Sequence, residues 1–82
     1  MDRVVREEKD VLIEARKKLG MTQQQVADKA DVAMRHYQMF ECGTRKLTSS
    51  SFQLASRVLR VLELDLTSFA EGDYTMRETN QG

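Results

Sequence analysis

The sequence of 82 residues contains no proline and no tryptophan, and it has only one cysteine and one histidine. The single cysteine, Cys42, excludes an internal disulfide and any cysteine-rich metal site. Because the N-terminus also lacks a basic segment followed by apolar residues, we expect a protein of the reducing cytoplasm. No apolar run is longer than three residues, whereas a helix needs about 20 apolar residues to span a bilayer. We therefore expect no membrane-spanning segment and no membrane partner.

The scarcity of catalytic side chains argues against an enzyme. Most enzymes that act on small molecules bring several polar side chains together in a cleft. This chain has one histidine, one cysteine and no glycine-rich phosphate loop. We expect a protein without catalytic activity, without a metal and without a cofactor.

The length and the apolar pattern predict a single helical domain. We place the domain at residues 1–74 and a flexible tail at residues 75–82. Apolar residues recur at helical spacing, and no alternating run of strand length occurs. The predicted fold class is all-α, a compact bundle of about five short helices.

The first two helices are marked by the residues at their ends. Helix 1 is predicted to run from Asp2 or Arg3 to Leu19, where Gly20 supplies a left-handed stop. Its apolar stripe comprises Val5, Leu12, Ala15 and Leu19. Helix 2 is predicted to begin with a capping box formed by Thr22 and Gln25 and to end near Ala30.

Helix 3 is predicted over residues 34–41. Tyr37 and Phe40 lie three positions apart and should be buried, and Gly43 should close the helix. Residues 44–51 are predicted to form a polar loop.

Two further capping patterns predict helices 4 and 5. Ser50 and Gln53 have the spacing of a second capping box, which would open a strongly apolar helix 4. Asp65 is predicted to cap a short helix 5 that contains Leu66 and Phe69 and ends at Gly72.

Charge is unevenly distributed along a chain whose formal net charge is zero. Residues 16–46 hold seven basic against three acidic side chains, which leaves +4, while the segments on either side each carry a net −2. A basic middle segment attracts polyanions, although ordinary solvated helix faces would explain the pattern equally well.

Helices 2 and 3 form the motif that points to function. Small residues on helix 2, Ala27 and Ala30, let helix 3 cross closely after a short turn, which is the geometry of a DNA-binding helix-turn-helix. The sequence resembles the phage Cro- and repressor-type helix-turn-helix family, also called the xenobiotic-response-element type, over about residues 8–70. The matching residues are Gly20-Met21-Thr22-Gln23, Val26-Ala27, Val32, Tyr37, Phe40, Glu41 and Gly43. The resemblance implies a lambda-repressor-like bundle that docks helix 3 in the major groove, commonly as a homodimer on a two-fold-related operator.

The resemblance places four side chains of helix 3 at base edges: Met34, Arg35, Gln38 and Met39. The fork of Arg35 can bond O6 and N7 of guanine, and the amide of Gln38 can pair with adenine. The two methionines offer only apolar contacts, for example to thymine methyl groups. They could instead pack on a neighbouring helix or a protein partner.

Five side chains are predicted to contact phosphates: Gln23, His36, Thr44, Arg45 and Lys46. Gln23 lies at the start of helix 2, where free N–H groups favour an anion, although it could simply be an exposed first residue. Thr44, Arg45 and Lys46 match a family loop that grips phosphate, with an ordinary polar loop as the alternative. His36 is expected to be exposed, and no second ligand on its face supports a metal site.

The resemblance also implies a structural ion pair between Arg16 and Glu41, largely buried, that ties helix 1 to the end of helix 3. The chain departs from the family at Ala33, where a serine or threonine usually caps the recognition helix. It departs again at Asp31, which replaces a turn glycine, and in a longer loop after Gly43.

These observations predict a sequence-specific regulator of transcription, with repression favoured, that binds double-stranded DNA through helix 3. The alternative is a protein-interaction module or antitoxin-like partner that keeps the fold. Such a module would use helix 3, with Met34, Met39 and Tyr37, or the apolar C-terminal region that comprises Leu64, Leu66, Phe69 and Tyr74. We expect self-association to involve helix 5 and the segment that follows it.

Overall fold

The computed structural model describes residues 7–71, which contain five α-helices, one 3₁₀ turn and no strand. The elements are α1 (Glu8–Lys18), α2 (Gln23–Ala30), α3 (Met34–Cys42), the 3₁₀ turn (Leu47–Ser49), α4 (Phe52–Val61) and α5 (Leu66–Ala70). The prediction of an all-α bundle is confirmed. None of these helices is long and apolar enough to cross a membrane. The predicted domain boundary at residue 74 and the tail at 75–82 lie outside the described residues.

Helix α1 begins later than its apolar pattern predicts. Glu7 is extended (φ −98°, ψ 162°) and acts as N-cap, and its backbone N–H donates to Asp10 Oδ2 over 3.2 Å. The prediction of a helix that starts at Asp2 or Arg3 and already includes residue 7 is therefore wrong at residue 7. Val5 lies outside the described residues. Leu19, predicted on the buried stripe, is 37% exposed because it follows the last turn of the helix.

Helix α2 is fixed at both ends. The capping box is confirmed, with Gln25 N donating to Thr22 Oγ1 over 3.0 Å and Thr22 N donating to Gln25 Oε1 over 2.9 Å. The helix ends at Ala30, and Asp31 follows in the left-handed region with φ +61°. From α4, Arg57 Nε donates to the carbonyl of Ala30 over 2.8 Å. This bond satisfies one of the carbonyls that the last turn of a helix leaves unpaired.

Helix α3 extends to Cys42, one residue beyond the predicted end, and Gly43 closes it with φ +87° as expected. Ala33 occupies the N-cap and offers no side-chain hydrogen bond. Both results follow from local chemistry, because alanine has no acceptor and glycine adopts positive φ without a steric penalty.

The loop after α3 is less polar than predicted, because Leu47 is fully buried within a 3₁₀ turn. The carboxylate of Glu8, at the start of α1, accepts from the backbone N–H groups of Leu47 and Thr48 and from Thr48 Oγ1, the last over 2.7 Å. This carboxylate ties the loop to α1.

Helix α4 is capped by Ser51, whose Oγ accepts from Leu54 N over 3.2 Å. The predicted capping box that starts at Ser50 is wrong, because Ser50 ends the 3₁₀ turn and its N–H donates to the carbonyl of Leu47. Asp65 caps α5 as predicted, accepting from Ser68 N over 2.9 Å. Gly72, the predicted end of α5, lies outside the described residues.

One apolar core joins all the helices. Small side chains let α1 and α2 approach their neighbours, and Tyr37 and Phe40 anchor the inner face of α3 as predicted. The buried core residues are Val11, Leu12, Ala15, Val26, Ala27, Ala30, Tyr37, Phe40, Leu47, Ala55, Val58, Leu59, Leu62 and Phe69. Burial of one face of α3 leaves its opposite face in solvent.

Candidate nucleic-acid interface

The solvent face of α3 presents Arg35 and Gln38, both exposed and three positions apart, so that they lie on one side of the helix. Within residues 7–71, the guanidinium of Arg35 makes no hydrogen bond or ion pair. The two predicted methionines are half-buried, and Met34 packs against the core. Among residues 7–71, the outer face of α3 therefore offers the Arg35 cation without a protein partner and the Gln38 amide, and the two methionines lie at its edges.

The carboxylate of Glu41 lies beneath this face and accepts four hydrogen bonds. Arg16 donates twice, from Nε to Oε2 over 2.7 Å and from Nη2 to Oε1 over 3.0 Å. Gln23 Nε2 donates to Oε1 over 2.9 Å, and the hydroxyl of Tyr37 donates to Oε2. The side chains of Arg16 and Glu41 are 15% and 4% exposed. Helices α1, α2 and α3 thus meet at one charged group.

The environment of Glu41 keeps it ionised. Burial alone would raise the pKa of this carboxyl, but the hydrogen bonds from Arg16, Tyr37 and Gln23 outweigh burial and hold the pKa below its ordinary value. The hydrogen bond to Glu41 raises the pKa of Arg16 despite partial burial. Burial, and then the contact with Glu41, raises the pKa of Tyr37. The pair is therefore charged, and Tyr37 protonated, at neutral pH.

Gln23 connects Glu41 to Gln38. Because a carboxylate only accepts hydrogen bonds, Gln23 must turn its NH₂ group towards Glu41 and its Oε1 away from it. Gln38 Nε2 donates to that Oε1 over 3.2 Å. The Oε1 and one N–H of Gln38 then remain for another partner. The sequence predicted Gln23 only as a phosphate contact and did not predict its bonds to Glu41 and Gln38.

His36 is half-buried, and the expectation of an exposed side chain is wrong. Its ring lies against Phe40, one helical turn along α3, with ring centroids 5.0 Å apart. Its Nε2 is enclosed and has no hydrogen-bond partner among the described residues. A phosphate contact through Nε2 would require the ring to leave this position.

The segment Thr44–Lys46 projects from the end of α3, and all three residues are exposed. The left-handed Gly43 turns the chain out of the helix, and the bonds from Leu47 and Thr48 to Glu8 fix the far end of the segment. Within residues 7–71, the side chains of Arg45 and Lys46 make no hydrogen bond or ion pair. Cys42, just before the segment, is an exposed free thiol.

The contact between Tyr37 and Glu41 could be expected from the sequence, whereas the contact between Gln23 and Glu41 could not. Their spacing of four residues places them on one face of α3, which is a readable signal for a contact. The contribution of Gln23 has no such signal, because it depends on how α2 crosses α3.

No group of three or more histidine, cysteine or acidic side chains in the described part of the chain could hold a metal ion.

Comparison with known proteins gives one match. A family described as Helix-turn-helix matches residues 12–66, which extend from the middle of α1 to the first residue of α5. No curated protein and no solved structure matches the chain. The matched segment contains the Glu41 hydrogen-bond group, the solvent face of α3 and the segment Thr44–Lys46.

Proposed function

The chain belongs to the Cro/repressor-type helix-turn-helix family of DNA-binding regulators, and we propose that it represses transcription by binding a specific double-stranded operator through α3. One observation carries the proposal. The guanidinium of Arg35, which has no partner within residues 7–71, and the oriented amide of Gln38 share the solvent face of α3. An exposed cation beside a hydrogen-bonding amide is what readout of base edges in the major groove requires.

Base recognition is assigned to this pair of side chains. The guanidinium of Arg35 donates two parallel hydrogen bonds to O6 and N7 of guanine. For Gln38, the free Oε1 accepts from N6 of adenine, while the remaining N–H donates to N7. Met39 supplies an apolar contact to a thymine methyl group. Met34 packs against the core, which favours the structural alternative for that residue.

Phosphate contacts are assigned to the segment Thr44–Lys46. Its two cations are exposed and lack a protein partner within residues 7–71, and its position is fixed at both ends. Gln23 retains one N–H at the start of α2, where the helix dipole favours an anion. His36 contributes only after its ring rotates away from Phe40. Contacts of this kind set the register of the protein on DNA without reading its sequence.

We propose that the protein acts as a homodimer on two half-sites about 10 base pairs apart, one turn of the double helix. A dimer doubles the basic surface, which matters for a chain whose formal net charge is zero. As a regulator of transcription, it acts in the cytoplasm, where the exposed thiol of Cys42 remains reduced.

Selection from a pool of random duplex DNA at two salt concentrations tests this function. The expected result is one enriched, two-fold-related sequence with guanine at the position that Arg35 contacts. Arg35→Ala should relax the preference at that position, whereas Arg60→Ala, which removes an exposed arginine of α4, should leave the sequence unchanged. Weak, salt-sensitive binding without enrichment would overturn the proposal and favour a protein partner instead.

A further inference from the structure

The 3₁₀ turn that follows the segment Thr44–Lys46 is capped by a residue from another helix. Lys46 occupies the N-cap position of this turn and supplies no side-chain hydrogen bond. The acceptor is instead the carboxylate of Glu8, in the first turn of α1. Its Oε2 accepts from Leu47 N over 2.5 Å and from Thr48 N over 3.3 Å, and its Oε1 accepts from Thr48 Oγ1 over 2.7 Å. A carboxylate that is distant in sequence therefore performs the role of an N-cap.

The segment is anchored at its two ends. At its start, the carbonyl of Met39 accepts from three successive N–H groups, those of residues 43–45, over 3.1, 3.1 and 3.3 Å. At its end, the side chain of Leu47 is fully buried and its N–H is bound by Glu8. Between the anchors, the two cations of the segment are exposed and have no protein partner within residues 7–71. Glu8 therefore holds the backbone and leaves the cationic side chains available.

The charge of Glu8 opposes the effect of its hydrogen bonds. Glu8 lines a cavity between the start of α1 and the end of α3, and Arg45 and Lys46 line the same cavity. A negative charge at this position repels a phosphate and offsets part of the attraction exerted by the two cations. The hydrogen bonds of Glu8 order the segment, whereas its charge weakens the field of the segment. The two effects have opposite signs in a binding measurement.

We propose that Glu8 is a positioning residue for DNA binding, which holds the backbone of Thr44–Lys46 in its phosphate-binding conformation through hydrogen bonds and in spite of its charge. The proposal rests on the phosphate contacts proposed above and adds a residue of α1 that acts through the segment and not through contact with DNA. Fixing the backbone of one mobile residue on binding lowers affinity by roughly five- to thirtyfold. A segment that is ordered in advance avoids this loss.

Three variants separate the hydrogen bonds from the charge. Glu8→Ala removes both. Glu8→Gln removes only the charge, because the amide carbonyl can accept from Leu47 N and Thr48 N while the NH₂ group donates to Thr48 Oγ1, a hydroxyl that also accepts. Glu7→Ala is the matched control. It removes the neighbouring exposed carboxylate, which lines the same cavity and makes no hydrogen bond to the segment within residues 7–71.

Binding of the full chain to a duplex of mixed sequence at several salt concentrations tests the proposal without knowledge of the operator. Glu8→Ala should bind at least about fivefold more weakly than the wild type, because the segment must then be ordered on DNA. Glu8→Gln and Glu7→Ala should bind at least as tightly as the wild type, with any gain shrinking as salt is added. The salt slope of Glu8→Ala should stay near that of the wild type, since both cations remain.

Two results of this assay would overturn the proposal. Glu8→Ala binding as tightly as the wild type, or more tightly, would show that the carboxylate acts on DNA only as a charge. Glu8→Gln binding as weakly as Glu8→Ala would show that the hydrogen bonds do not account for the effect.

Amide hydrogen exchange in the protein without DNA tests the anchoring independently. In Glu8→Ala, the amides of Leu47 and Thr48 should exchange at least about tenfold faster, while the amide of Val58 in α4 keeps its wild-type protection. Unchanged exchange at Leu47 and Thr48, or loss of protection at Val58 as well, would overturn the proposal, because Glu8 would then hold either nothing or the whole fold. If exchange changes as expected but the wild type does not bind the duplex, the proposed function fails and the anchoring of the segment does not.

Discussion

Removing the carboxylate of Glu41 should destabilise the protein severely. The substitution Glu41→Ala leaves the Arg16 guanidinium, 15% exposed, with one remaining acceptor, the carbonyl of Met21 at 3.1 Å. It also strands the buried hydroxyl of Tyr37. Breaking a buried ion pair from one side costs about 3–5 kcal/mol. We expect about 3 kcal/mol, the lower end, because Arg16 keeps an acceptor and some contact with water.

That loss is large for a domain of this size. At about 0.05–0.15 kcal/mol per residue, the whole chain is stable by roughly 4–12 kcal/mol. A loss of about 3 kcal/mol should lower the melting temperature by 12 °C or more. Urea unfolding followed by circular dichroism measures the difference, with Glu71→Ala, an exposed glutamate, as the matched control at under about 0.5 kcal/mol. A Glu41→Ala protein as stable as this control would refute the reasoning.

The same carboxylate gives a defined pH dependence. Because the folded protein holds the pKa of Glu41 below its unfolded value, the ionised group adds stability above about pH 4.3, the ordinary glutamate pKa. That contribution disappears as the pH falls through the folded pKa. Glu41→Gln keeps the shape but does not titrate. The stability gap between wild type and Glu41→Gln should stay constant at neutral pH and shrink in acid. A gap that widens in acid would contradict this account.

Three further predictions concern the surface proposed to contact DNA. Arg45→Ala should weaken binding to all sequences alike and lower the slope of log affinity against log salt by about 1, and a slope that does not change would remove Arg45 from the phosphate contacts. Gln23→Ala should reduce discrimination at the base pair assigned to Gln38 more than it reduces affinity for unrelated DNA; equal losses on both DNAs would mean that Gln23 contacts only phosphate. Ala33→Ser should stabilise the fold by about 0.5–2 kcal/mol in thermal melts, and no gain would show that the first turn of α3 has another acceptor.

Features set by neighbouring residues could be predicted from the sequence. The capping box of Thr22, the cap at Asp65 and the positive φ of Gly43 each depend on side chains or backbone within a few positions. The buried face of α3 also followed from helical spacing. For these features the local chemistry and the tertiary fold favour the same conformation.

Features set by contacts between distant segments could not be predicted. The bond from Leu47 to Glu8 spans 39 positions and converts a polar loop into an ordered turn. The position of the Gln23 amide depends on the crossing of α2 and α3, because a glutamine has no intrinsic preference for a carboxylate over water. In the candidate site, the exposure of Arg35 and Gln38 was readable from helical spacing, whereas the link from Gln38 through Gln23 to Glu41 was not.

The absence of a side-chain acceptor at Ala33 affects how often the first turn of α3 opens. The first turn of α3 has fewer hydrogen bonds than the first turn of α2, so it should open more often while the core stays closed. Amide hydrogens of Arg35 and His36 should therefore exchange faster than the corresponding amides of α2. If α3 contacts DNA as proposed above, local opening of its first turn adds an ordering entropy to each binding event and so lowers the affinity for DNA.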